Sequence, residues 1–312
     1  MRYAYAGMPL LPFASEFMVR ALVGGALVAA VCAIVGTWVV VRGMAFLGEA
    51  ISHGMLPGVA VATLLGIPPL WGAAVSGAAM SAAIGLLQRR GRLSYDTSIG
   101  LLFVGMLSLG VIIVSHSRSF ATDATTMLFG DILAVTWTDV LILAVTLAVV
   151  AIIAIAFHRS FVAAAFDPRI AHTLGLRPRL AHTLLTALVT VAVIASYQSV
   201  GSLLVVGMLL APAVAAGRWT RSIPTTMALA AAFGIAAVVI GLTVSWHAAT
   251  AAGPTIACTA ILLAAVSALA SAAVHRTRTR NARHTPTHPV VPAHLPHLAA
   301  TTATAAPRTE SN

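Results

Sequence analysis

The chain has 312 residues, of which 59% are hydrophobic and only 8% charged, with a formal net charge of +10. A soluble domain carries about a quarter charged residues, so this chain lacks a soluble surface and its exterior must meet lipid. The basic excess does not point to nucleic acid, because the arginines fall between apolar runs and in the C-terminal tail, as the basic loops of a membrane protein do.

Residues 1–16 read as a short outer segment. A membrane crossing needs about 20 apolar residues, and nine runs qualify: 17–41, 44–66, 68–87, 95–115, 136–157, 180–199, 201–217, 223–246 and 254–274. The fold class is therefore an all-α polytopic membrane protein with a membrane domain over 17–274. The run at 201–217 is short; read as a broken or re-entrant segment, it leaves eight crossings. The first run is too long for a signal peptide and no small-residue cleavage site follows it. Residues 117–135 form the longest loop before the tail. Cys32 and Cys258 both lie in apolar runs, which predicts free thiols packed in helices.

Orientation follows from the arginines. With the C-terminus inside, fifteen of the 18 arginines fall in inner loops and the tail, and only Arg2, Arg20 and Arg118 fall outside. That bias places the C-terminus in the cytoplasm and, with nine crossings, the N-terminus outside. Residues 275–312, rich in Pro, Thr, Ala, His and Arg, have little to bury and read as a disordered cytoplasmic tail. Its histidines, among them His284 and His288, are more simply an unselected tract than a metal store.

All 18 basic residues are arginine. Without lysine no G-x-x-x-x-G-K-[ST] phosphate loop is possible, so if ATP drives this protein, another chain binds it. No C-x-x-C and no H-E-x-x-H occurs either.

Of the eight acidic residues, only Glu49 lies well inside an apolar run. An ionisable side chain there is costly and is functional or paired. His53 follows four residues later in G48-E-A-I-S-H-G-M-L-P57, a spacing that puts both side chains on one helix face. Counted from Arg42 at 1.5 Å per residue, Glu49 lies roughly 10 Å and His53 roughly 16 Å into the membrane. Carboxylate oxygen with imidazole nitrogen suits Zn²⁺, Mn²⁺ or Fe²⁺. A hydrogen-bonded pair holding two helices together, or a proton relay, is open to the same residues. Gly48, Gly54, Pro57 and Gly58 loosen the helix around the pair, which a gated ion path needs. Two ligands per chain are too few for a site that excludes water, whereas a two-fold dimer with this helix on its axis supplies two Glu and two His.

A second segment, F166-D-P-R-I-A-H-T-L-G-L-R177, predicts a short helix in the largest inner loop. Asp167 is its N-cap, Pro168 its first residue and Gly175 its stop. It is an ordinary interfacial helix or a dock for a cytoplasmic partner. Asp96 is expected to cap the helix 97–115 in preference to pairing with Arg92, and His247, beside Trp246, to sit in an interfacial aromatic belt.

Six ordered motifs carry a resemblance: R42-G-M-A-F-L-G-E-A-I-S-H-G-M-L-P-G58, Y95-D-T-S-I-G100, L128-F-G-D-I-L133, F166-D-P-R-I-A171 with Gly175, V200-G-S-L-L-V-V-G-M-L-L-A-P212 and A252-G-P-T-I256. Over 17–274 the chain resembles the permease subunits of bacterial zinc, manganese and iron ABC importers, which have the type II importer architecture. The resemblance implies a permease homodimer, a pair of cytoplasmic ABC ATPase subunits and an extracellular metal-binding protein that delivers the ion. It implies no permanently bound cofactor and no enzymatic activity of the chain itself. It maps the intramembrane metal site onto Glu49 and His53, with Glu49 where Asp is more usual. It maps the coupling helix onto Asp167, Pro168, Arg169, Ala171 and Gly175. The competing reading is a secondary or proton-coupled carrier using Glu49 and His53 as a relay.

Overall fold

The computed structural model describes residues 15–89, 94–115, 130–166 and 178–283. The chain forms two units, 1–271 and 272–312. The described part of the second, 272–283, is helical and so includes the first residues of the tail expected from 275; the rest of that tail, 284–312, lies outside the described residues.

The described residues are almost wholly helical: α1 Glu16–Val41, α2 Ala45–Gly54, α3 Leu56–Leu64, α4 Pro69–Arg89, α5 Tyr95–Val114, α6 Trp137–Ala156, α7 His158–Phe166, α8 Pro178–Gly217, α9 Ile223–Ala248 and α10 Ala252–Arg283. A short 3₁₀ turn, Ile132–Ala134, precedes α6. Nine stretches of these helices are long and apolar enough to cross a membrane, with α2 and α3 together making one and α8 making two. They match the runs read from the sequence to within two residues at every boundary.

Lipid replaces water as the solvent for the outer surface. Ile155 of α6 and Leu269 of α10 are 77% and 72% exposed, and such apolar exposure is stable only against lipid or another chain. The interior is built on α1 and α8. Gly36 of α1 sits so close to the Leu209 carbonyl that a Cβ would strike it. Trp38, fully buried, meets the Phe161 ring edge to face at 5.3 Å. Cys32 is buried as expected, whereas Cys258 is exposed on α10; an apolar run does not reveal which of its faces is turned outward.

The helical run is broken at two places. Between α2 and α3 the chain turns at Met55, and Pro57 opens α3. Proline has no N–H to give the carbonyl four residues back, which is that of His53. Ser76 Oγ of α4 covers part of the disturbed backbone by donating to the Gly54 carbonyl at 2.7 Å, and Ser52 Oγ of α2 reaches the Ser202 carbonyl of α8 at 3.2 Å. The second break is in α8 at Gly201, where φ is +71° and ψ 168°. Gly130, also at positive φ, packs directly on the Val200–Gly201 backbone.

The glycines expected to loosen α2 and α3 also do something else. A Cβ on Gly58 would meet the Gly72 carbonyl, and one on Gly54 the Met80 side chain at 2.8 Å. They let α4 approach closely. The cap of α5 also differs from expectation: Ser94 Oγ accepts from the Thr97 N–H at 3.1 Å, while Asp96 lies in the first turn, a position where its charge favours the helix dipole.

Candidate metal-ion site in the membrane

Glu49 and His53 lie one turn apart on α2, and the structure brings them into contact, with His53 Nε2 2.9 Å from Glu49 Oε1. The helix makes this contact possible without help from another element, because residues four apart share a face. If the carboxylate accepts, Nε2 carries the proton and Nδ1 keeps a lone pair. Nδ1 is buried and has no hydrogen-bond partner among the described residues. The pair therefore leaves one nitrogen with an unused coordination direction.

The two side chains differ in access. Glu49 is 28% exposed and His53 11%. The histidine is walled by Phe103 of α5, whose ring stands edge to face at 5.5 Å, and Phe46 packs on Phe103 at 5.6 Å. Phe103 had no signal in the sequence, since an aromatic within an apolar run is ordinary packing by pattern. Ser52 is the other overlooked neighbour; it ties α2 to the start of the second half of α8.

Among the described residues no three His, Cys, Asp or Glu side chains gather closely enough to hold a metal ion. Among the described residues the candidate site is thus the Glu49–His53 pair alone, more open on the Glu49 side. The five residues expected in a docking helix, Asp167, Pro168, Arg169, Ala171 and Gly175, lie outside the described residues. His247 is exposed, with Nδ1 2.8 Å from the Thr243 carbonyl, and Trp246 of the same helix end lies tilted against Phe17 with ring centres 6.3 Å apart; this fits an interfacial belt and brings no ligand to Glu49 or His53.

Residues 14–271 match the ABC 3 transport family. The manganese transport system membrane protein MntC of Halalkalibacterium halodurans is 34% identical over 227 residues, covering 73% of this chain and 78% of that protein. The chelated iron transport system membrane protein YfeD of Yersinia pestis is 34% identical over 247 residues, covering 78% and 82%. Among solved structures, PsaBC from Streptococcus pneumoniae in complex with Fab superposes with a TM-score of 0.72 at 34% identity, covering 81% of this chain and 91% of that one. A metal-chelate type ABC transporter in an inward-facing conformation shares the fold, with a TM-score of 0.69 at 14% identity. Matched along nearly all of its membrane-spanning length, the chain belongs to the ABC 3 transport family.

Proposed function

We propose that this chain is the membrane-spanning permease subunit of an ATP-driven importer of a divalent transition-metal ion, and that Glu49 and His53 ligate the ion in transit. The observation that carries the reading is the hydrogen-bonded Glu–His pair on a broken crossing helix, in a chain whose relatives are named for manganese and iron transport. Carboxylate and imidazole suit Mn²⁺ and Fe²⁺ as well as Zn²⁺, and the relatives favour the first two.

The rest of the assembly follows from what one chain does not contain. Two ligands invite two more from a second copy, with α2 of each protomer near a two-fold axis. The absence of lysine calls for ATP hydrolysis on a separate cytoplasmic subunit pair. An extracellular binding protein delivers the ion. The arginine bias puts the C-terminus in the cytoplasm, and relatives from bacteria point to a bacterial plasma membrane. The secondary-carrier reading loses ground because the family is one of ABC transporters.

The test is metal uptake by proteoliposomes holding the permease and its ATPase, with the delivery protein outside. Mn²⁺ or Fe²⁺ should enter only with ATP inside the compartment that holds the ATPase. Uptake driven by a proton gradient without ATP would move the protein to the carrier class. A second expectation concerns the docking segment: Asp167→Ala combined with Gly175→Pro should leave a folded permease that no longer stimulates its ATPase. Normal stimulation would place the dock elsewhere.

A further inference from the structure

Arg42 lies between α1 and α2, and its guanidinium reaches across to another element. Nη2 donates to the Ala164 carbonyl at 3.1 Å. Ala164 is in the last turn of α7, which ends at Phe166. Carbonyls there have no N–H of their own helix to accept from, and a cation at a helix C-terminus is favoured by the dipole. Arg42 is thus a C-cap supplied from a distant part of the chain.

The same short link is held on its other side. Tyr95 Oη of α5 donates to Met44 Sδ at 3.2 Å. The Tyr95 ring stands at 5.5 Å from the His182 ring of α8, and His182 Nε2 is 3.0 Å from Gln88 Oε1 of α4. The ends of α4, α5, α7 and α8 therefore converge on residues 42–44, and α2 begins at Ala45 with Glu49 in its second turn. Between Arg42 and Ala45 stand only Met44 and Gly43, the latter in a left-handed turn at φ +65°.

Resting on the permease reading above, we infer that Arg42 is a positioning residue that transmits movement of α7 to the helix carrying Glu49 and His53. The element order gives the reason. α7 leads straight into 167–177, the stretch proposed to dock the ATPase. A shift of that stretch displaces the Ala164 carbonyl, and a half-buried guanidinium follows its acceptor instead of losing it. Burial also lowers the Arg42 pKa from its ordinary value, with Tyr95 opposing; the charge is held at a cost that its partners offset. Among the described residues its buried Nη1 has no acceptor, so within them the guanidinium keeps a spare donor for re-pairing when α7 moves. Arg42 touches neither ion nor nucleotide in this account. It joins the two.

The experiment measures Mn²⁺ uptake and ATP hydrolysis on the same proteoliposomes, with the permease, its ATPase and its delivery protein present. In Arg42→Ala the ratio of ions moved to ATP hydrolysed should fall at least about fivefold, the lower range of coupling between distant sites. Mn²⁺ binding to the detergent-solubilised permease should stay unchanged, because the ligands are untouched. Arg42→Lys, which keeps the charge with a single-point donor, should restore part of the ratio. A merely structural role predicts loss of uptake, hydrolysis and assembly together, with the ratio preserved. If Arg42→Ala does not assemble, Arg42→Gln is read in its place. A ratio within about twofold of wild type in the assembled variant overturns the inference. Failure of the wild-type vesicles to take up Mn²⁺ with ATP overturns the permease reading itself.

Discussion

Glu49→Gln and His53→Ala should each cut ATP-dependent metal uptake to background, a loss of about a hundredfold or more, while expression and dimer assembly stay near wild type. The size of the effect comes from the solvent. Near the middle of a bilayer nothing replaces a lost ligand charge, and an uncompensated divalent ion is far too costly to hold. Glutamine keeps the shape of Glu49 and can still accept from His53 Nε2 across the present 2.9 Å contact, so it separates the two roles of the carboxylate. If the pair only braces α2, Gln should be close to neutral. If the pair holds an ion, Gln should be as damaging as Ala. His53→Ala removes the imidazole next to Phe103 and leaves that wall otherwise intact. Residues that act on one ion are not additive, so the double variant should be no worse than either single one. Well-folded His53→Ala protein that still transports would move the ion path away from α2.

The crossings were legible in the sequence because the bilayer sets both their length and their composition. Even the short run at 201–217 appears as a crossing, Ser199–Gly217. The Glu49–His53 contact was legible for a different reason: it is local, one turn of one helix. Tertiary facts were not. Nothing in a row of alanines and glycines says that Gly58 faces the Gly72 carbonyl or that Gly36 faces that of Leu209. Phe103 over His53 and Arg42 over Ala164 join positions far apart in the chain, and no local pattern encodes either. The misassigned cap of α5 shows the limit of reading by residue type. Ser94 and Asp96 are both good caps, and only the backbone at Ser94, extended at ψ 158°, decides which one acts.

Gly201→Ala should destabilise the permease, and Gly207→Ala, six residues on in the same helix, should not. At Gly201 the backbone has φ +71° and ψ 168°, a region that residues with a Cβ scarcely enter, at a cost of about 1–3 kcal/mol. The strain has little room to relax, because Gly130 lies against the Val200–Gly201 backbone and is itself at positive φ. A chain of this size loses about 2–4 °C per kcal/mol, so thermal unfolding in detergent should shift down by several degrees. Gly207 is the internal control. It is helical, and a Cβ there meets only the Ala257 Cβ at 3.7 Å, an ordinary contact. Alanine is favoured over glycine in a helix by about 1 kcal/mol, so this variant should hold or gain stability. The difference between the two isolates the bend from the general effect of adding a methyl group. Uptake should follow stability only in part. Ser52 hydrogen-bonds the Ser202 carbonyl just beyond the bend, so straightening α8 also withdraws the acceptor that holds α2 beside His53. Gly201→Ala protein that melts with Gly207→Ala would mean the bend is not required by the fold, and that the two halves of α8 run on as one helix without penalty.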